Sequence, residues 1–134
     1  MKVILDANVI IAAFASRGLC ESVLELCLEQ HELILSNHLL TEIKDKLTKK
    51  IKLPKSVTNQ IVSFLKENSV IALPEPVPKD ACRDQDDLKV LGLASKMETN
   101  FIVTGDKDLL VLKSYKKTKI ITPRQFWEVQ KKKF

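Results

Sequence analysis

The chain predicts a three-layer α/β/α sandwich around a mostly parallel central sheet, and three observations carry that prediction. Short apolar runs alternate with longer segments of helical periodicity, in the order strand, helices, strand, helices, repeated. Two of the runs, Lys2-Val3-Ile4-Leu5 and Phe101-Ile102-Val103-Thr104, read as buried strands. Each stops at an acid, Asp6 after the first and Gly105-Asp106 after the second. In open α/β sheets the ligand sits outside the carboxyl ends of the strands, so acids placed there stand where chemistry happens.

The first strand, Lys2–Leu5, leads past Asp6 into Asn8–Phe14, a run too apolar to be exposed and expected as a short buried helix. Ser16-Arg17-Gly18 breaks it. Glu21–Gln30 places Val23, Leu24, Cys27 and Leu28 at helical spacing, predicting a second helix. Glu32–Ser36 is the second strand. Ser36-Asn37 offers an N-cap for a helix over His38–Lys49, with Leu39, Leu40, Ile43 and Leu47 inward and Glu42 at the margin of that face. Pro54 starts a fourth helix, Val57–Glu67, burying Ile61, Phe64 and Leu65. Ser69–Leu73 is the third strand, and Pro74, Pro76 and Pro78 stiffen the connection after it. Arg83–Asp87 holds three carboxylates in four residues and opens an amphipathic helix over Leu88–Lys96. After the Phe101 strand come one or two helical turns in Lys107–Leu112, a last strand at Lys119–Ile121, and a terminal helix from Pro123 carrying Phe126 and Trp127.

At 134 residues, 45% hydrophobic, with 3 glycines and 5 prolines, the chain is expected to form one domain, residues 1–134, with a substantial core. Asp6 and Asn8 interrupt the apolar stretch Val3–Phe14, so neither a membrane span nor a secretory signal is expected and the cytoplasm is the default location. With Gly18, Gly92 and Gly105 the only glycines, a glycine-rich phosphate loop is excluded. Cys20, Cys27 and Cys82 fit neither a zinc site nor a disulfide framework. His31 and His38 flank the second strand and are read as structural or solvent-facing. The net charge of +5 concentrates in Lys44–Lys55, Lys113–Lys119 and Lys131–Lys133, patches that suit a polyanionic partner.

Each acid has an ordinary reading. Asp6 and Asp106 can cap the helices that follow them, Asp84 and Asp87 can cap or favour a helix N-terminus, and Glu42 passes as a surface residue. Together they need more. If the strands are parallel, Asp6, Glu42, Asp87 and Asp106 converge at one sheet edge, and such a cluster repels itself unless a cation sits within it. An all-oxygen set without cysteine or histidine suits Mg²⁺ or Mn²⁺ rather than zinc. An acidic pocket, a divalent metal and a basic exterior point to phosphodiester chemistry on a nucleic acid.

The segments VILDANVIIAAF, CRDQDDLKVLGLA and FIVTGDKDLL resemble those of PIN-domain ribonucleases, most of all the PIN toxins of prokaryotic toxin–antitoxin pairs. The resemblance runs over nearly the whole chain. It implies that Asp6, Glu42, Asp87 and Asp106 are metal-binding catalytic acids, that Asp84 is an additional acid, and that Asn8 and Thr104 are supporting polar residues. Asp87 is chosen over Asp84 and Asp86 because Val90 and Leu91 follow it at the family's spacing. Gln85 stands where this subgroup often has proline. The resemblance further implies an endoribonuclease using Mg²⁺ or Mn²⁺, an RNA substrate and an antitoxin protein as partner, with no membrane association and a homodimer left open. Two other classes stay in view: a phosphatase-type hydrolase with Asp6 as nucleophile, for which the acid two residues on would have to be Asn8, and a non-catalytic module binding RNA or a partner.

Overall fold

The structure is a computed structural model, and it describes residues 1–132; Lys133 of the last lysine patch lies outside them. Strand β1 (Lys2–Leu5) leads into α1 (Ala7–Ala15) and α2 (Leu19–Gln30). Strand β2 (Glu32–Leu35) leads into α3 (Asn37–Lys49) and α4 (Lys55–Glu67). Next come β3 (Val70–Ile71), α5 (Asp87–Met97), β4 (Phe101–Val103), α6 (Lys107–Leu110), β5 (Ser114–Tyr115), β6 (Thr118–Ile121) and α7 (Pro123–Lys131).

The six strands lie in the order β3-β2-β1-β4-β6-β5, and every pairing is parallel except that of β5 with β6. From β1 the chain builds outward on one side through β2 and β3, then returns to lay β4 and β6 on the other. The switch in strand order therefore falls between β1 and β4, the place where open α/β sheets form their crevice. Leu5 pairs with Val103, so the residues just beyond, Asp6 and Thr104, emerge side by side.

Burial explains why these segments are strands. Val3, Ile4, Leu5, Ile34, Leu35, Ile102 and Val103 are fully buried, because helices cover both faces of the central strands. The helices have identifiable starts. Ser36 Oγ accepts from the Leu39 amide at 3.2 Å to cap α3. Thr122 and Gln125 form a reciprocal capping box at α7, with Pro123 at its first position. Gly18, at φ 153°, takes a conformation that favours glycine and lets α2 begin at once.

Three expectations shift. Phe64, expected inward on α4, is exposed at 44%, while Leu65 beside it is fully buried. The third strand contracts from Ser69–Leu73 to Val70–Ile71, since it is an edge strand and Pro74 has no amide for a ladder. The hairpin strand β5 was not expected: two residues give no periodicity, and its turn at Lys116 and Lys117 reads in sequence only as a basic patch. The proline-rich connection lies against α5. The Glu75 amide donates to the Gly92 carbonyl at 3.2 Å, and a Cβ on Gly92 would stand 2.2 Å from the Glu75 carbonyl oxygen. Only glycine permits that approach, which fixes the helix carrying Asp87.

Candidate active site

α1 and α3 leave the carboxyl edge of the sheet directly after β1 and β2, α6 leaves it after β4, and α5 starts from it to run back toward β4. Their first turns wall a cavity of about 420 Å³ lined by Asp6, Asn8, His38, Thr41, Glu42, Asp45, Lys46, Asp84, Asp86, Asp87, Val90 and Asp106. All five acids singled out in the sequence are there, with Asn8. Thr104 stands behind Asp6. Seven carboxylates and one ammonium face the same space.

Asp6 and Asp106 do cap helices, as the ordinary reading holds. Asp6 Oδ1 accepts from the Ala7 amide at 2.8 Å, and Asp106 Oδ1 accepts from the Asp108 amide at 2.8 Å. Capping does not exhaust them. The Thr104 hydroxyl donates to Asp6 Oδ2 at 2.8 Å, and the same Thr104 oxygen accepts the Asp106 amide at 2.9 Å. One buried threonine thus ties the acid after β1 to the acid after β4. Burial pushes the Asp6 carboxyl above the usual carboxylate range; the bonds from Thr104 and Ala7 oppose this, while the charges of Glu42 and Asp106 add to it.

Asp87 is the most perturbed group. Burial, then the Asp106 carboxyl beside it, then the charges of Asp84 and Asp6 push its pKa from 3.8 up to about 8. Oδ2 of Asp87 is buried without a hydrogen-bond partner. A buried, unsatisfied carboxylate oxygen among other acids is costly unless a cation meets it. Asp84 turns one oxygen back to the Asp86 amide at 2.9 Å.

Asp84, Asp87 and Asp108 each bring a carboxylate oxygen within 4.8 Å of the others. These are hard oxygen donors with no thiolate or imidazole among them, the chemistry that fits Mg²⁺ or Mn²⁺. Asp108 was not singled out from the sequence. Its signal was the Asp-x-Asp spacing with Asp106, which places both acids at the start of α6. His38, read as structural or solvent-facing, lines the cavity, because it sits in the first turn of α3. His31 bonds Gln130 at 2.8 Å on the opposite side of the fold. Asn8 does not touch an acid: its Oδ1 accepts from Lys46 at 3.1 Å. Cys27 is fully buried, Cys20 half-buried, and the Cys82 thiol donates to the Asp108 carbonyl at 3.5 Å.

The fold and site define an α/β protein with a carboxylate-lined crevice at the strand-order switch. Residues 2–108 match the family model for the PIN domain, and the chain belongs to that family, whose membership implies a nuclease-type hydrolase. Among solved structures, a chain from the crystal structure of VapBC2 from Rickettsia felis, bound to a DNA fragment from their promoter, aligns over 90% of this chain and 97% of its own. Its TM-score is 0.61 at 14% identity, a likeness of fold. No curated protein matches the sequence. The family match ends at Asp108; β6 and α7 lie beyond it, yet β6 pairs with β4 along the full register from Phe101 to Val103. Among the described residues no helix is long and apolar enough to cross a membrane.

Proposed function

We propose that the protein is a divalent-metal-dependent endoribonuclease and the toxin half of a toxin–antitoxin pair. The observation that carries this reading is the unpartnered, buried Asp87 oxygen amid Asp6, Asp84, Asp106 and Asp108, at the switch point of a PIN fold. Asp6, Glu42, Asp84, Asp87 and Asp106 around the cavity, with Asp108 beside Asp84 and Asp87, would hold Mg²⁺ or Mn²⁺. A divalent ion bound there neutralises the cluster, makes water a competent nucleophile near neutral pH and stabilises charge on the phosphate.

The chain's own residues set up the rest. Thr104 and the Ala7 amide fix Asp6 in one orientation, so its remaining lone pairs are aimed before any ligand arrives. Asp106 is held in the same way by the Thr104 oxygen and the Asp108 amide. Burial and the neighbouring Asp106 carboxyl raise the Asp87 pKa, so Asp87 holds its proton more tightly than an ordinary carboxyl and would have to release it to serve as a ligand. Lys46 lines the cavity and Lys44 lies two residues before it on α3; these lysines would meet RNA phosphates without reading sequence. Lys116, Lys117 and Lys119 lie at the other end: Lys119 pairs with Phe101, where β4 begins, whereas Asp106 follows where β4 ends. The pairing with an antitoxin is supported by family resemblance and by the likeness to a VapBC2 chain.

A phosphatase using Asp6 as nucleophile is disfavoured, because the general acid two residues on would have to be Asn8, an amide whose Oδ1 is engaged with Lys46. A non-catalytic module leaves the orphaned Asp87 oxygen without a reason. Thermal melts across an Mn²⁺ titration test the metal reading: the parent should gain stability with metal, by ligand linkage, and Asp87→Asn should gain little. Equal behaviour of the two would remove Asp87 from the site.

A further inference from the structure

The one ammonium in the cavity wall has a specific place. Lys46 Nζ donates to Glu42 Oε2 at 3.0 Å and to Asn8 Oδ1 at 3.1 Å. Glu42 and Lys46 are four apart on α3, in the orientation that favours such pairs, so half of this contact could be mere helix-surface decoration. The other half is not: Asn8 belongs to α1, and the ammonium bridges two helices across the cavity that the acids line. Among the described residues Glu42–Lys46 is the one salt bridge, in a chain with 22 lysines and arginines and 17 acids. The cation is thus placed selectively, against an acid that the proposed function assigns to metal.

We propose that Lys46 is the resident cation of the metal-free site, and that a divalent ion engaging Glu42 must displace it. The inference rests on the metal reading above and adds a step to it: cation exchange on Glu42. The pair suits exchange. Both side chains are about a third exposed, at 30% and 32%, and ion pairs this wet are weak and easily broken. Lysine adds a flexible four-carbon stem that can swing its charge out of the way without moving α3. A divalent ion carries twice the charge to the same carboxylate, so it wins the competition while still losing affinity to it. Asn8 holds the departing ammonium's position rather than the metal's, which gives the amide at this position a use that an acid would spoil.

The test is a double-mutant cycle read by Mn²⁺ binding, with no RNA present, using titration calorimetry on the parent, Lys46→Met, Glu42→Gln and the double variant. Removing the resident cation should tighten Mn²⁺ binding about two- to fivefold, the scale expected for a partly screened ion pair. In the Glu42→Gln background the same substitution should change affinity less than about twofold, because the exchange partner is gone. Lys46→Arg, which keeps the charge, should bind like the parent. Unchanged affinity in Lys46→Met, or an equal gain in both backgrounds, overturns the exchange while leaving the metal reading standing. Failure of the folded parent to bind Mn²⁺ at all overturns the metal reading, and the exchange with it. Circular dichroism melts of each variant confirm that the comparison is between folded proteins.

Discussion

Thr104 and Asp6 are separated by 98 residues, and the hydroxyl of one donates to the carboxylate of the other at 2.8 Å. The bond exists because β1 and β4 are parallel neighbours whose last paired residues, Leu5 and Val103, stand side by side. Fold and site meet in this contact: strand register decides which polar residue faces which acid. Thr104 is completely buried, so nothing from solvent can replace it.

Thr104→Val keeps the shape and removes the donor. Asp6 would lose the bond that most opposes its burial, and the Asp106 amide would lose its acceptor. Urea melts should show a loss of about 1–3 kcal/mol, the range for a buried polar group left unsatisfied. RNA cleavage should fall as well, because Asp6 is no longer held. A variant as stable and active as the parent would reduce Thr104 to a filler of space.

The metal-free protein should lose stability as pH rises from about 4 toward 8. Asp87 has its folded pKa raised from 3.8 to about 8, chiefly by burial. Across that window the folded state holds a proton that the unfolded state has released, so unfolding becomes easier with each step up in pH. The contribution is complete below the unfolded value and gone above the folded one. Melting temperatures in chelator from pH 5 to pH 9 test this, and Asp87→Asn should flatten the slope. A parent whose stability rises over this range would contradict the assignment.

Asp106→Asn should abolish cleavage and leave the metal-free fold as stable as before or slightly more so. Asparagine can still accept the Asp108 amide and caps about as well as aspartate. It also removes a negative charge beside Asp87, which relieves repulsion in the empty cluster. Melts with and without Mn²⁺, run beside a cleavage assay, check both halves. A variant that still cleaves and still gains stability from metal would show Asp106 to be a cap alone.

Lysines at the two ends of the sheet should behave differently. Lys44→Glu on α3, two residues from the cavity-lining Lys46, should weaken RNA binding and reduce the steepness of its salt dependence. Lys117→Glu, in the turn between β5 and β6, should do neither, since β6 begins at the end of the sheet away from Asp106. Fluorescence anisotropy across a salt series measures both. Equal losses would mean that RNA wraps the far end too.

Much of this was legible in the sequence because the relevant signals are local. Buried parallel strands announce themselves as short apolar runs, and parallel topology follows from the helices between them; together they place Asp6 and Asp106 at one edge. What escaped depends on side chains that meet only in three dimensions. Asp108 was not singled out, because only the approach of α5 to α6 brings it near Asp84 and Asp87. Lys46 looked like one lysine of many until α1 placed Asn8 opposite it. β5 is too short to carry a period, and Gly92 gave no hint that a proline-rich strap would cross it.

Cleavage of a labelled single-stranded RNA by the purified protein, in Mn²⁺ or Mg²⁺ and again after chelation, tests the central claim most directly. Cleavage should require the divalent ion, vanish with chelator, return when metal is added back, and be missing from Asp87→Asn under every condition. Cleavage that persists in chelator, or that survives in Asp87→Asn, would contradict a metal-dependent ribonuclease built on this carboxylate cluster.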